Sequence, residues 1–330
     1  MNCLVLESEG SLPVWREMPS PELEPGDVRV QMTAAALNHR DVWMTKGLYP
    51  GVVYPVVPGS DGSGVVVETS SDHGAWLGRS VIINPSFDWG GSETVQAPGF
   101  TILGMPRQGT FAGEIVIPAA QLAPSPEHLT PFEAAALPLA GLTAWRALFS
   151  RARVQPGERV LVTGIGGGVA LFALQFALAA GARVAVTSGS PEKLERAAKL
   201  GAECGFLYTD PDWPNQVPER FGRVQVVIDG SAGPGFSGLI DVCEPGGRIV
   251  NYGGTAGPLE AIPMRKIFWN QLNLLGTTMG SPSDFAAMTA LVNRHRIRPV
   301  IDEVFALRDG ADGFRKMDAG RQFGKIVFSA

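Results

Sequence analysis

Residues 158–190 read ERVLVTGIGGGVALFALQFALAAGARVAVTSGS: a short apolar strand, a glycine-rich turn, an apolar helix and a second apolar strand. This order presents backbone N–H groups and a helix N-terminus to a pyrophosphate, because glycine permits the tight turn and leaves room for the phosphate. From Gly164 the spacing is G-x-x-G-x-x-A, which departs from the usual G-x-G-x-x-G. A glycine-rich turn in another α/β sheet is the alternative, but the second strand favours a dinucleotide site. The predicted phosphate-binding residues are Gly164, Gly166, Gly167, Gly168 and Val169.

The end of the second strand bears on cofactor choice. An NAD-selective site places Asp or Glu there, whereas this strand ends Val186-Thr187-Ser188-Gly189-Ser190. The hydroxyls of Ser188 and Ser190 can donate to a 2′-phosphate, and Lys193 adds a positive charge one helical turn further on. We therefore predict NADP(H). The alternative is that Ser190 only caps a solvated helix.

Outside this stretch, the pattern of predicted strands and helices changes near residue 130. Residues 1–125 contain short Val-, Ile- and Thr-rich runs separated by Pro and Gly, which is typical of a barrel-like β domain. Thr130 and Glu133 then form a capping-box pattern. Apolar strands alternate with helix-length segments after Glu158, which predicts a doubly wound parallel sheet. We place domain limits at 1–135, 136–270 and 271–330 and expect an α/β fold.

Composition excludes several classes of protein. A hydrophobic fraction of 45% with 18% charged residues argues against disorder, and a net charge of −5 gives no basic surface for nucleic acid. Three distant cysteines make no disulfide framework, so we expect a reducing, cytoplasmic setting. We see no export signal and no apolar stretch of about 20 residues, and we expect no membrane partner.

Several blocks resemble the medium-chain dehydrogenase/reductase superfamily over nearly the whole chain. They are PVVPGSDGSGVV from Pro55, residues 109–148 from GTFAGEIVIP to LTAWRAL, GGRIVNYGG from Gly246 and FGKIV from Phe323. The resemblance implies a GroES-like β-barrel catalytic domain formed by both ends of the chain, with a Rossmann domain inserted between them. It also implies a homodimer formed through edge strands, for which residues 273–279 are the candidate.

The same resemblance bears on zinc. The positions of the three catalytic zinc ligands in the zinc-dependent members correspond to Asn38, Ser60 and Ala136, and alanine offers no donor atom. The lobe that holds structural zinc elsewhere corresponds to residues 85–104, which contain no cysteine. We therefore expect a protein without metal. Without a Lewis acid, hydride transfer to a quinone or an α,β-unsaturated carbonyl is favoured over oxidation of simple alcohols.

Residues 38–50, NHRDVWMTKGLYP, are similar to the active-site segment of the zinc-lacking quinone oxidoreductases. Trp43 stands where that branch often has tyrosine, which leaves Tyr49 as the candidate phenol. Asn38 and Tyr49 can donate hydrogen bonds to a carbonyl oxygen that gains negative charge, and His39 can donate a proton or contact the cofactor ribose. Each can instead be structural: Asn38 in its loop, Tyr49 packed beside Pro50.

Further cofactor contacts follow from the resemblance, position by position. They are Thr143, Tyr208, Gly253, Gly254, Thr255, Thr277, Met279 and Lys325. Thr277 and Met279 are either cleft lining or core. The sequence thus predicts an NADPH-dependent reductase of small quinones, enals or enones. The alternatives are an alcohol dehydrogenase or enoyl-thioester reductase of the same fold, or an NADPH-binding sensor without catalysis.

Overall fold

The computed structural model describes residues 1–70, 73–259 and 261–330. The chain divides into two compact units. Unit 1 contains residues 1–140 and 280–330, and unit 2 contains residues 141–279. Both ends of the chain therefore fold into unit 1.

The first part of unit 1 is rich in short strands. Its strands are β1 (Asn2–Val5), β2 (Val14–Glu17), β3 (Asp27–Ala36), β4 (Asp61–Thr69), β5 (Ser80–Ile83), β6 (Ser86–Phe87), β7 (Thr101–Ile102), β8 (Glu114–Pro118) and β9 (Leu122–Pro124). Its helices are α1 (His39–Thr45) and α2 (Pro131–Ala136), and α3 (Pro138–Trp145) follows. Thr130 caps α2 by accepting a hydrogen bond from Glu133 N, which confirms the predicted capping box.

Unit 2 alternates strands and helices. Its elements are β10 (Arg159–Val162), α4 (Gly168–Ala179), β11 (Arg183–Ser188), α5 (Pro191–Lys199), β12 (Cys204–Leu207), α6 (Trp213–Arg220), β13 (Val224–Asp229), α7 (Phe236–Val242), β14 (Cys243–Asn251), α8 (Met264–Trp269) and β15 (Asn273–Gly276). Every strand pair in its sheet is parallel, in the order β12-β11-β10-β13-β14-β15. The predicted doubly wound sheet is confirmed. Its central strands β10, β11 and β13 are mostly apolar and buried, which is typical of a parallel sheet covered by helices.

The chain then returns to unit 1 with α9 (Pro282–His295), β16 (Ile301–Ala306), α10 (Gly310–Asp318) and β17 (Lys325–Ser329). These strands complete a sheet of order β16-β17-β3-β4-β5-β9, with β8 paired to β3. Strand β17 therefore lies next to β3, and Val327 pairs with Ala36. This pairing brings the last strand of the chain to the start of α1.

Some elements lack a clear signal in the sequence. Helix α6 has proline at its start and Pro218 inside it, a residue that usually breaks helices, although Trp213 and Val217 mark a buried face. Helix α8 and strand β12 are short, and packing rather than propensity holds such elements. Helix α9, in contrast, begins with a capping box formed by Ser281 and Asp284.

Candidate active site and cofactor site

The predicted phosphate loop lies in unit 2 between β10 and α4. Gly164 and Gly166 have φ values of +62° and +139°, which side chains with a Cβ rarely adopt. A Cβ added at Gly164 or Gly167 would meet no atom within 4 Å, so the space beside the loop is open. Thr187 anchors the loop, because its carbonyl oxygen accepts from Ile165 N at 2.8 Å. The loop and the N-terminus of α4 fit a pyrophosphate.

Asp229, which the sequence analysis missed, organises the neighbouring loops. It ends β13 and is fully buried. Its carboxylate accepts hydrogen bonds from Thr163 Oγ1 at 2.6 Å, Ser231 Oγ at 2.7 Å, Ala232 N at 2.9 Å and Asn251 Nδ2 at 2.8 Å. Asp229 thus ties together the ends of three adjacent strands. An acidic residue at the end of a fully apolar strand is the signal that could have revealed it.

The end of β11 has the predicted hydroxyls close together. Ser188 Oγ accepts from Ser190 N at 3.1 Å, and Ser190 Oγ accepts from Lys193 N at 3.3 Å as the cap of α5. The ring of Tyr208 lies over Gly189, where a Cβ would be 2.7 Å from the phenol oxygen. A side chain at position 189 would therefore push the Tyr208 ring away from its present place. Two serines, a lysine and a half-exposed tyrosine thus surround one strand end.

The remaining predicted cofactor residues of unit 2 lie at the ends of β14 and β15, except Thr143, which lies in α3. Thr255 Oγ1 donates to Gly230 O at 3.3 Å. Thr143 Oγ1 donates to the sulfur of Met279 at 3.9 Å, and Met279 is buried. Within the described residues, Thr277 Oγ1 is enclosed and has no hydrogen-bond partner. Gly253 and Gly254 precede Thr255 in the same loop. The unsatisfied hydroxyl and the open space beside Gly254 both suit a bound dinucleotide.

The predicted catalytic Asn38 lies in unit 1 within a buried charged cluster. Lys325 Nζ donates to Asn38 Oδ1 at 2.6 Å and to Asp61 Oδ2 at 2.8 Å. Asn38 Nδ2 donates to Asp61 Oδ2 at 3.0 Å, and Leu139 N donates to Asp61 Oδ1 at 2.7 Å. Lys325, expected as a cofactor contact, thus has its ammonium bonded inside unit 1. Asp61 is not among the site residues that the sequence predicts.

Asp41 and Tyr49 follow Asn38 in the predicted active-site segment. Asp41 is fully buried and accepts from Asn38 N at 2.9 Å, and burial raises its pKa to about 6 although the charge of Arg40 opposes this. Tyr49 packs against the buried side chains of Met44 and Val56. His39 is exposed at the start of α1.

The three positions implied for zinc do not form a ligand set. Asn38 Oδ1 is bonded to Lys325, Ser60 Oγ donates to Leu103 O at 2.7 Å, and Ala136 has no donor atom. Across the described ranges, no group of three or more His, Cys, Asp or Glu side chains could hold a metal ion. The residues present therefore do not fit a catalytic zinc.

Comparison with known proteins agrees with this two-unit arrangement. The model for an alcohol dehydrogenase GroES-like domain matches residues 24–127, and that for a zinc-binding dehydrogenase matches residues 168–294. The chain is 37% identical to a zinc-type alcohol dehydrogenase-like protein, YogA, of Leptosphaeria maculans, over 93% of this chain and 91% of that protein. It is 26% identical to a crotonyl-CoA reductase of Streptomyces collinus, over 94% and 80% of the two chains.

A solved structure of an NAD-dependent alcohol dehydrogenase superposes with a TM-score of 0.95 at 39% identity, over 100% of both chains. A GroES-like β unit together with a parallel dinucleotide-type unit defines an oxidoreductase of the kind that uses a nicotinamide cofactor. The chain belongs to the medium-chain dehydrogenase/reductase superfamily, as its sequence blocks predicted. No helix in the described part of the chain is long and apolar enough to cross a bilayer.

Proposed function

We propose that this protein is a zinc-independent, NADPH-dependent reductase that transfers hydride to a small quinone or an α,β-unsaturated carbonyl. The observation that carries the proposal is the bond from Lys325 Nζ to Asn38 Oδ1 at 2.6 Å, together with the absence of a donor atom at Ala136. An ammonium already occupies one of the three implied ligands, and its positive charge opposes a second cation nearby. Acceptors that need no Lewis acid are therefore favoured.

The chemistry divides between the two units. A bound dihydronicotinamide would supply the hydride. In unit 1, Asn38 Nδ2 carries two hydrogens, of which one bonds Asp61 at 3.0 Å and the other reaches Ala36 O only at 3.5 Å. The weakly bonded hydrogen and the Tyr49 phenol can donate to an acceptor oxygen as it gains negative charge. His39 is the proposed proton donor or ribose contact.

NADPH rather than NADH is the proposed donor because the end of β11 offers hydroxyls and no carboxylate. One similar solved structure is that of an NAD-dependent alcohol dehydrogenase, so the preference for NADPH over NADH needs a direct test. An enoyl-thioester reductase is the second candidate, which the likeness to crotonyl-CoA reductase favours. An alcohol dehydrogenase and an NADPH-binding sensor without turnover remain alternatives. Three unpaired thiols, Cys3, Cys204 and Cys243, support a reducing cytoplasmic location as part of the proposal.

The rate of NADPH oxidation tests the proposal. We expect turnover with an ortho-quinone or an enal after treatment with a strong chelator, and much slower turnover with NADH. Lys193→Gln should raise KM for NADPH about 10-fold and leave KM for NADH unchanged, because a charge-assisted bond to the 2′-phosphate is lost. Lys199→Gln, in the last turn of the same helix, is the matched control. Activity that the chelator abolishes and zinc restores would refute zinc independence, and equal losses with both cofactors would refute the role of Lys193.

A homodimer formed through the edge of the unit 2 sheet is also proposed. Strand β15 is the edge strand, and near it Trp269 and Phe268 are 78% and 66% exposed. Exposed aromatic side chains next to an unpaired strand edge are typical of interfaces between subunits.

The variant Trp269→Glu should therefore shift the protein from dimer to monomer, because it would bury a charge in the interface. Sedimentation velocity measures the change in mass. Val67→Glu, which replaces a 47% exposed residue of unit 1, should leave the mass unchanged. A wild-type monomer, or a Trp269→Glu dimer as tight as wild type, would contradict the proposed interface.

A further inference from the structure

Arg40 is a buried arginine that makes no ion pair in the described part of the chain. It is the second residue of α1 and only 7% exposed. The nearby carboxylates have other partners: Asp61 bonds Lys325, and Asp41 accepts from the backbone of Asn38. Arg40 acts on the charge of Asp41 through space but forms no hydrogen-bonded ion pair with it, and a buried charge that is not held by hydrogen bonds is costly, so the position needs a reason.

The hydrogen bonds of Arg40 are confined to one end of its guanidinium. Nη1 donates to Ser60 Oγ at 2.5 Å and to Leu103 O at 2.7 Å. Nε and Nη2 are enclosed and have no hydrogen-bond partner among the described residues. The guanidinium is therefore held by hydrogen bonds at Nη1, while its Nε and Nη2 donors, on the opposite edge, are unused.

The unused edge has the geometry that recognises a carboxylate. The Nε–H and one Nη2–H lie parallel on the same side of a guanidinium and match the two oxygens of a carboxylate. Unit 2 shows this pairing within the same chain, because Arg183 uses Nε and Nη2 to hold the two carboxylate oxygens of Glu203. Arg40 presents the same pair of donors with no acid opposite them.

Tyr49 covers the guanidinium of Arg40. The Cζ atom of Arg40 lies 4.8 Å from the centroid of the Tyr49 ring, a cation–π distance. Tyr49 lies in a turn between Gly47 and Gly51, whose φ values are +68° and +78°, and the adjacent Leu48 is 68% exposed. The ring can therefore leave the guanidinium by movement of an exposed, glycine-flanked turn without disturbing a sheet.

We propose that the Nε/Nη2 edge of Arg40 binds the carboxylate of a small organic acid, which displaces the Tyr49 ring. The ligand replaces a cation–π contact with two charge-assisted hydrogen bonds and places a hydrogen-bonded negative charge beside the guanidinium. Where the proposed reductase function holds, the acid is an acceptor that bears a carboxylate group. Only this last assignment rests on the proposed function.

Binding of crotonate and of the neutral crotonamide to the protein without cofactor tests the proposal. The two probes differ in charge and little in shape. By calorimetric or NMR titration, we expect crotonate to bind wild type at least about 10-fold more tightly than crotonamide. We expect Arg40→Gln to weaken crotonate binding about 10- to 100-fold and to leave crotonamide binding unchanged. Arg183→Gln is the matched control, since its carboxylate partner is internal.

Tyr49→Leu distinguishes a displaced ring from a merely structural one. Removing the ring abolishes the contact that the ligand must replace, so crotonate should bind this variant several-fold more tightly than wild type. If no Arg40 variant folds, the binding of crotonate and crotonamide to wild type and to Tyr49→Leu still tests the proposal. Equal binding of the two probes, undiminished binding to Arg40→Gln, or no crotonate binding to wild type would each overturn the proposal. Because no turnover is involved, failure of the reductase assay leaves this result intact.

Discussion

Lys325→Met should lower the free energy of unfolding by about 3–5 kcal/mol, the largest loss expected for any single change discussed for this protein. Lys325 and Asp61 are 3% and 0% exposed, and their charges lie 2.8 Å apart. Without the ammonium, the Asp61 carboxylate keeps its bonds from Asn38 Nδ2 and Leu139 N but loses its counter-charge. Leaving one buried charge without its partner destabilises the folded state far more than removing both charges of the pair.

Urea denaturation of wild type and variants measures this loss. The double variant Lys325→Met/Asp61→Asn removes both charges and should recover most of the stability. Arg315→Met is the control for losing one exposed pair, because Arg315 and Asp312 are 59% and 62% exposed, and it should cost less than about 1 kcal/mol. A loss below about 1 kcal/mol in Lys325→Met, or no recovery in the double variant, would show that the pair does not anchor unit 1.

Asp41→Asn should stabilise the protein at neutral pH, because burial raises the pKa of Asp41 from 3.8 to about 6. The folded state then binds a proton more tightly than the unfolded state, so this carboxyl lowers stability as pH rises from about 4 to about 6. Above that window the cost is constant at about 3 kcal/mol. Asparagine keeps an oxygen that can accept from Asn38 N but does not titrate.

The measurement is the difference in unfolding free energy between Asp41→Asn and wild type as a function of pH. It should grow in favour of the variant by about 3 kcal/mol between pH 4 and pH 7. Asp309→Asn, at a side chain that is 55% exposed, should show no such growth. A difference that is flat across this window would mean that the buried carboxyl does not take up a proton on folding.

These two predictions concern residues whose roles the sequence showed only in part. Residues 38–50 are assigned to the active-site segment by resemblance, and the sequence does not show which residues Asn38 contacts. The contact of Asn38 with Lys325 joins residues 287 positions apart, and that of Lys325 with Asp61 joins residues 264 apart. Such pairs leave no trace in local periodicity, because they depend on β17 pairing with β3 across the chain.

The sequence by itself determined the parallel sheet, the glycine loop at Gly164 and the hydroxyl-rich end at Ser188, because these depend on residue type and spacing within about 30 neighbouring positions. Only the tertiary structure decided which buried charges find partners. Lys325 meets Asp61, whereas Arg40 meets Ser60, Leu103 O and an aromatic ring. The physical reason is that the energy of a buried charge depends on groups brought within a few ångströms by folding, and these groups come from distant parts of the chain.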